Sequence, residues 1–268
     1  MKKYFPFTFI TLLLAICFIS SVFGDTENAN VYVLGYPRSG THWIRLCLKK
    51  LLSDAAQNKN SSTPPSANFF DYLGLEYQAG DHHIYFGHNP VRLGLDKVDQ
   101  TKNYLILIIR NYRECIMRHH ADKDYQVLTY LRLEDDVFSF MDINPLTPSP
   151  NYIANVKYYD EWNPKNRFLI YYEDLILEPE KTLKGLMKFL DQDETLVDTF
   201  MAHYKEMQNI SYSKYKNTQS YLGGINHHTS LMSKEIIFQC DEFVKNRYPQ
   251  YWDKYLSRFE WQKNKVKN

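Results

Sequence analysis

The sequence lacks several features that would assign it to common classes of protein. Its 32 Lys and Arg residues barely exceed its 31 Asp and Glu residues, and without a large basic excess we predict no nucleic-acid partner. Its four scattered cysteines are too few for a disulfide framework or a zinc motif. It shows no internal repeat and no domain linker. A chain of 268 residues with 44% hydrophobic residues is instead typical of one substantial globular domain.

The N-terminal segment differs from the rest of the chain. Two lysines precede an almost wholly apolar run at residues 5–23, and a cleavage-site pattern ends at Gly24. We predict a signal peptide over residues 1–24, with an uncleaved signal anchor as the alternative, because the run nearly reaches the length of a membrane span. Either one predicts export or entry into the secretory pathway. Residues 25–268 are then a single domain, in which we expect three buried, free thiols: Cys47, Cys115 and Cys240.

Short apolar runs alternate with segments of helical spacing. Four runs predict buried strands: Asn30–Gly35, His83–Gly87, Tyr104–Ile109 and Arg167–Tyr172. Helical spacing predicts helices at Thr41–Ala56, Arg113–His120, Tyr152–Trp162, Pro179–Leu190, Leu196–Met207 and Ser233–Arg247. Loops are predicted at Gln57–Asn68, Asp122–Pro150 and Gln208–Ser230. This alternation predicts an α/β fold with a central, mostly parallel sheet flanked by helices.

The most informative segment is Leu34–Trp43 (LGYPRSGTHW), which joins a predicted strand to a predicted helix. Backbone N–H groups of Ser39–His42 would face the start of that helix, where the helix dipole favours an anion. Gly40 permits close approach of the backbone, and Arg38 supplies a fork of donors suited to phosphate or sulfate oxygens. The Gly35-x4-Gly40 spacing begins like a P-loop, but the lysine expected next is missing. That absence argues against a phosphotransferase.

The YPRSGTHW part of this segment closely resembles the 5′-phosphosulfate loop of the sulfotransferase superfamily, commonly written YPKSGTTW. The resemblance implies a P-loop-like three-layer sandwich and a donor, 3′-phosphoadenylyl sulfate (PAPS), whose sulfuryl group passes to a hydroxyl or an amine. It also implies that six consecutive residues bind the donor: Arg38, Ser39, Gly40, Thr41, His42 and Trp43.

Two later segments resemble other donor-binding elements of the same family. Arg110 and Asn111 follow a predicted strand and match the 3′-phosphate motif RNPxDxxxS, in which Arg118 takes the place of the phosphate-binding Ser. The resemblance implies that both arginines contact the 3′-phosphate. Tyr172, in an element similar to YEDLxxxP, and Trp43 are expected beside the adenine. The ordinary alternatives are an ion pair for Arg110, an exposed helix position for Arg118, and the core for the two aromatic residues.

His88 is the candidate base. It follows a predicted strand and precedes the Arg110 strand, in the position of the family's THLP histidine. The resemblance implies that His88 deprotonates the acceptor while Arg38 bridges sulfuryl and 5′-phosphate oxygens, in an in-line displacement that requires no metal. A structural histidine at the end of a strand is the alternative. The lysine that the family often has two residues earlier is Phe86 here, so Arg38 would carry more of the leaving-group stabilisation.

Three functions stay open on the sequence alone. A PAPS-dependent sulfotransferase comes first, a P-loop phosphotransferase second, and a catalytically degenerate nucleotide-binding module third, because the family's late Arg-Lys-Gly element is not evident. The acceptor is expected to be a small molecule, a carbohydrate or a peptide. Its pocket would be formed by Ala67–Asp81, Asp122–Pro150 and Gln208–Ser230. Membrane contact is expected only if the anchor at residues 5–23 is retained, and no oligomeric state is predicted.

Overall fold

The computed structural model describes residues 29–58, 76–79, 82–120, 152–215, 225–226 and 228–260. The predicted targeting segment at residues 1–24 and most of the predicted acceptor-binding segments lie outside these ranges. Within them, no helix is both long enough and apolar enough to cross a bilayer.

A five-stranded sheet with the order β2-β3-β1-β4-β5 forms the centre of the domain. The strands are β1 (Val31–Gly35), β2 (Glu76–Ala79), β3 (His82–Gly87), β4 (Tyr104–Ile109) and β5 (Arg167–Tyr171). Four of them run parallel, and β2 pairs antiparallel with β3 at one edge. The four parallel strands therefore end on the same side of the sheet, where ligands bind in open α/β folds.

Helices cover both faces of the sheet. They are α1 (Thr41–Asn58), α2 (Tyr112–His120), α3 (Tyr152–Glu161), α4 (Tyr172–Leu177), α5 (Pro179–Phe189), α6 (Leu196–Tyr215), α7 (His228–Leu231) and α8 (Lys234–Arg247). Short helical turns follow at Pro249–Tyr251, Trp252–Leu256 and Ser257–Phe259, and others lie at Leu95–Lys97 and Pro164–Asn166. The side chain of Ser233 accepts a hydrogen bond from the N–H of Ile236 at 3.3 Å and so caps α8, as expected of serine at a helix start.

The sheet separates two hydrophobic cores. Side chains alternate along each strand, so Val31 and Val33 face one core while Tyr32 and Leu34 face the other. Helices α1, α5 and α6 pack on the first face, and α2, α3 and α8 pack on the second. This arrangement confirms the predicted three-layer α/β sandwich with a mostly parallel sheet. The three described cysteines are buried, as predicted.

The predicted strands are confirmed to within one residue, but one strand was missed and one predicted loop was wrong. The segment EYQA lacks an apolar run, and its place at the sheet edge as β2 (Glu76–Ala79) was missed. The interval Gln208–Ser230 is not entirely a loop, because α6 continues to Tyr215 and α7 begins at His228. The last two turns of α6, beyond the predicted end at Met207, have a mostly polar sequence, so no apolar periodicity indicated that the helix continues.

Candidate active site

Four parallel strands deliver the predicted site residues to one edge of the sheet. The loop of residues 36–40 follows β1, His88 follows β3, Arg110 follows β4 and Tyr172 follows β5. Each residue comes directly after the last residue of its strand, so the parallel register places all four positions side by side. The fold therefore brings together residues that are far apart in the sequence: Tyr36 and Tyr172 are separated by 136 positions.

The loop after β1 makes a tight turn into α1. The N–H of Ser39 donates to the Tyr36 carbonyl at 3.0 Å, so this amide is used within the loop and does not face an anion as the sequence predicted. Arg38 has a φ of 72° and Gly40 a φ of 100°. The first-turn N–H groups of an α-helix have no carbonyl partner within the helix, and those of Thr41 and His42 stand at this position in α1.

Close contacts require glycine both at the end of β1 and in the loop that follows it. A Cβ at Gly35 would lie 2.6 Å from Ile108 Cγ2 and 2.7 Å from the Ser39 hydroxyl oxygen. A Cβ at Gly40 would lie 2.2 Å from a ring carbon of Tyr172. These distances are shorter than a van der Waals contact, so the end of β1 lies directly against β4, and the loop lies directly against the residue that follows β5.

The side-chain hydroxyl of Ser39 is buried inside the loop. The residue is fully buried, and within the described part of the chain its Oγ has no hydrogen-bond partner. A buried hydroxyl without a partner is destabilising, since its interactions with water are lost and not replaced. An anion in the loop would offer it an acceptor.

His88 is oriented by the backbone at the end of β1. Its Nδ1 lies 2.6 Å from the Gly35 carbonyl oxygen, which can only accept, so Nδ1 carries the proton and Nε2 has a lone pair. The His88 carbonyl accepts from the Asn155 side-chain amide at 3.2 Å. Burial lowers the pKa of His88, the Gly35 hydrogen bond raises it, and the nearby Arg38 lowers it, with a net decrease. The imidazole is therefore neutral at pH 7.

Positive charge gathers around the loop. Loss of surrounding water lowers the pKa of His42, and the charges of Arg45, of His88 when it is protonated, and of Arg38 lower it further. The His42 residue is nevertheless exposed at the surface of the site. The half-buried Arg38 therefore lies within electrostatic range of both histidines. Such a grouping of cationic and donor side chains at a helix start favours an anionic ligand.

Arg110 is buried and held on several sides. Its Nη1 donates to the Arg38 carbonyl at 3.1 Å, and its Nη2 lies 3.4 Å from Glu114 Oε2. The guanidinium carbon stands 4.2 Å from the ring centre of Tyr172, a distance typical of a cation–π contact. The hydroxyl of Tyr152 donates to the Arg110 carbonyl at 2.7 Å. Arg110 thus joins the loop after β1 to the element after β4, although part of its hydrogen-bonding capacity is used by the protein itself.

The two predicted adenine-facing residues differ in their surroundings. Tyr172 packs between Gly40 and Arg110 at the site. Trp43 is buried, and its Nε1 donates to the Tyr204 hydroxyl at 3.2 Å with the two rings edge to face at 5.3 Å. The Tyr204 hydroxyl in turn donates to the Leu175 carbonyl at 2.9 Å. Trp43 therefore anchors α1 to α6.

Phe86, two residues before His88, is in contact with Arg45 of α1. Phe86 is buried, as expected of an aromatic residue that faces a core. Arg45, one turn into α1, places its guanidinium carbon 5.4 Å from the centre of the Phe86 ring. A cation therefore reaches this part of the site from the helix, whereas the family pattern would supply it from the strand. The sequence signal for Arg45 was its place three residues after His42 on a predicted helix, because side chains with this spacing lie on the same helix face.

Some predicted residues cannot be placed in the site. The backbone of Arg118 belongs to α2, but its side chain lies outside the described part of the structure. The same holds for nearly all of the three predicted acceptor-binding segments. Conversely, the sequence did not assign roles to Glu114, which pairs with Arg110, or to His228, which contacts Glu114. The only sequence signal for Glu114 was its position at the aspartate of the RNPxDxxxS motif.

Comparison with known proteins agrees with this geometry. The model of the sulfotransferase domain family matches residues 28–257. The rabbit (Oryctolagus cuniculus) protein named amine sulfotransferase is 22% identical over 208 residues, which cover 73% of this chain and 68% of that protein. The crystal structure of mouse sulfotransferase SULT7A1 complexed with PAP matches with a TM-score of 0.53 and 16% identity, over 85% of this chain and 89% of that chain. At this identity the structural match shows a shared fold.

Proposed function

The chain belongs to the sulfotransferase domain family of enzymes, and from that premise we propose that it transfers the sulfuryl group of PAPS to a hydroxyl or an amine. The observation that carries the proposal is the orientation of His88. Its Nδ1 proton is directed to the Gly35 carbonyl at 2.6 Å, beside the phosphate loop. The lone pair is then on Nε2, where a general base needs it.

The proposed step is an in-line displacement at sulfur. The acceptor oxygen or nitrogen forms a bond to sulfur as His88 Nε2 takes its proton. The bond between sulfur and the 5′-phosphate oxygen breaks, and its electron pair leaves with 3′-phosphoadenosine 5′-phosphate (PAP). Arg38 would stabilise the charge that develops on the leaving phosphate oxygen, because a positioned guanidinium is most effective where charge appears in the transition state.

The donor would occupy the edge of the sheet described above. Its 5′-phosphosulfate would bind in the loop of Arg38, Ser39, Gly40, Thr41 and His42. Two features fit an anion there: the buried Ser39 hydroxyl, which has no hydrogen-bond partner among the described residues, and the positive charges around His42.

The other end of the donor would lie beside Arg110. We propose that this arginine binds the 3′-phosphate and that Tyr172, in contact with both Gly40 and Arg110, bounds the nucleotide. Trp43 would act mainly as the anchor of α1, since its N–H is already used by Tyr204.

We propose amines as the first class of acceptor to screen. The rabbit relative is named amine sulfotransferase, and a neutral His88 can accept the proton that an amine nitrogen loses when it bonds to sulfur. Export or entry into the secretory pathway stays a prediction from residues 1–24.

Calorimetric titration with PAP, ATP and adenosine 5′-phosphate (AMP) tests the donor site. We expect PAP to bind most tightly, and Arg110→Ala to reduce PAP affinity by about ten- to hundredfold, because charge-assisted hydrogen bonds contribute about 1.5–3 kcal/mol. Arg258→Ala is a matched control, since this arginine pairs with Asp174 at 2.7 Å on the half-exposed surface.

Each outcome of the titration has a definite reading. Preference for PAP, followed by transfer of radiolabelled sulfate from PAPS to an acceptor, supports the sulfotransferase reaction. Preference for ATP would favour a phosphotransferase. A folded protein that binds neither nucleotide would be a degenerate module, and the proposed reaction would be wrong.

A further inference from the structure

A buried carboxylate lies directly beneath Arg110 and connects it to a distant part of the chain. Glu114 is fully buried, one helical turn beyond Arg110, and its Oε2 lies 3.4 Å from the Arg110 guanidinium. Its other oxygen, Oε1, accepts from the backbone N–H of His228 at 2.7 Å and lies 2.8 Å from the His228 Nδ1. His228 is also buried and begins α7. One side chain therefore joins Arg110 to a residue 118 positions further along the sequence.

The chemistry of this contact is well defined. A carboxylate accepts hydrogen bonds, so the His228 imidazole donates through Nδ1 to Glu114. Burial is the main influence on His228 and lowers its pKa, partly offset by the hydrogen bond that the ring donates to Glu114, so the ring is neutral near pH 7. Glu114 thus uses one oxygen for α7 and the other for Arg110. A buried carboxylate that lost either partner would be costly, because its charge could not be solvated.

Arg110 is consequently positioned from two directions. The phosphate loop holds Nη1 through the Arg38 carbonyl at 3.1 Å, and Glu114 faces Nη2 at 3.4 Å. The loop belongs to the first third of the chain, whereas the support for Glu114 comes from α7. Rotation of Glu114 away from Arg110 would also break both contacts with His228.

We propose that Glu114 and His228 are positioning residues that orient Arg110 toward the 3′-phosphate of the donor, so that packing of α7 and recognition of this phosphate are coupled. The inference rests on the proposed function, because it assumes that Arg110 binds that phosphate. Positioning matters here because a guanidinium recognises phosphate oxygens through a planar fork of donors whose direction must be correct.

A neighbouring cluster in the same helix offers a matched control. Arg113 pairs with Asp241 of α8 and donates to the Phe259 carbonyl, and the Tyr112 hydroxyl donates to the same Asp241 carboxylate. These groups are also buried. They connect α2 to Asp241 and Phe259 in the C-terminal elements, whereas Glu114 and His228 form the support of Arg110, so Tyr112→Phe should weaken packing and leave phosphate recognition intact.

The test is the ratio of affinities for PAP and AMP, which differ only in the 3′-phosphate. In the full chain, we expect His228→Ala and Glu114→Gln each to lower the preference for PAP over AMP by about tenfold, while AMP affinity stays within about twofold. His228→Asn should restore most of the preference, because its side-chain amide can donate in place of Nδ1. Tyr112→Phe should keep the wild-type ratio even if its unfolding midpoint falls.

Glu114→Gln also separates positioning from simple charge. If Glu114 only placed a negative charge near the phosphate, its neutralisation would raise the preference for PAP. A raised or unchanged preference would therefore overturn the inference while leaving the proposed function standing. A wild-type chain that does not prefer PAP to AMP would overturn both.

A measurement on the wild-type chain covers the case in which variants fail to fold. Coupling between two sites is reciprocal, so the 3′-phosphate should protect α7. At matched occupancy, PAP should slow hydrogen exchange of the peptide that contains His228–Leu231 more than AMP does. Equal protection by the two nucleotides would contradict the coupling.

Discussion

Replacement of His88 by asparagine separates the two roles that the structure gives to this residue. The Nδ1 of His88 donates to the Gly35 carbonyl at 2.6 Å, whereas Nε2 is the proposed base. An asparagine amide nitrogen lies close to the position of Nδ1, so His88→Asn can keep the hydrogen bond while it removes the base. His88→Ala removes both.

The expected magnitudes follow from these contacts. Loss of a general base lowers kcat by about 10²- to 10⁴-fold, and we expect this for both variants. Only His88→Ala leaves the Gly35 carbonyl without its donor, which costs about 1–3 kcal/mol of unfolding free energy for a buried group. PAP affinity should change less than threefold in either variant, since neither removes a group proposed to bind the nucleotide.

The assay is sulfate transfer from PAPS at saturating donor, measured against pH. A general base works in its neutral form, and burial lowers the His88 pKa below its ordinary value of 6.5. Activity of the wild type should therefore be independent of pH near and above neutrality and should fall on the acid side below 6.5. His88→Asn should lose this acid limb, because its side chain does not titrate.

Two results would refute this reasoning. If His88→Asn kept more than about half of the wild-type kcat, His88 would be a structural residue and the base would lie elsewhere. If the acid limb persisted in His88→Asn, the titrating group would be a different one, and His42 beside it would be the next residue to test. Glutamine at position 88 provides a control of similar size that leaves an amide near the Nε2 position.

Three further predictions concern the packing around the site. Gly40→Ala should lower the unfolding free energy by about 3 kcal/mol, measured by urea denaturation, because φ is 100° and a Cβ would lie 2.2 Å from Tyr172; a loss below 1 kcal/mol would contradict the packing. Tyr204→Phe should cost about 1–3 kcal/mol, since the Trp43 N–H loses a buried acceptor, and a neutral effect on thermal unfolding would argue against that bond. Arg258→Ala should cost about 1 kcal/mol or less in the same assay, because the pair is half exposed, and a loss of several kcal/mol would be inconsistent with it.

Much of the fold was predictable because its signals are local. The runs of β1 and β4 are apolar throughout and lie in the middle of the sheet, where both faces are buried, so length and composition identify them as strands. The phosphate loop is also local: a glycine, a turn and a helix start within ten residues. By contrast, β2 (Glu76–Ala79) lies at the edge of the sheet, and its short polar sequence carries no such signal.

The contacts that determine what the site residues do were beyond the reach of the sequence because they join distant positions. Trp43 could be placed next to the loop, but not against Tyr204, which is 161 residues away. The same limit applies to Glu114: the sequence shows an acid one turn after Arg110, and only the fold brings His228 to its second oxygen from 114 residues away. In an α/β domain the strand ends fix where catalytic groups stand. The later helices decide how those groups are held, so their chemistry depends on packing that no short motif encodes.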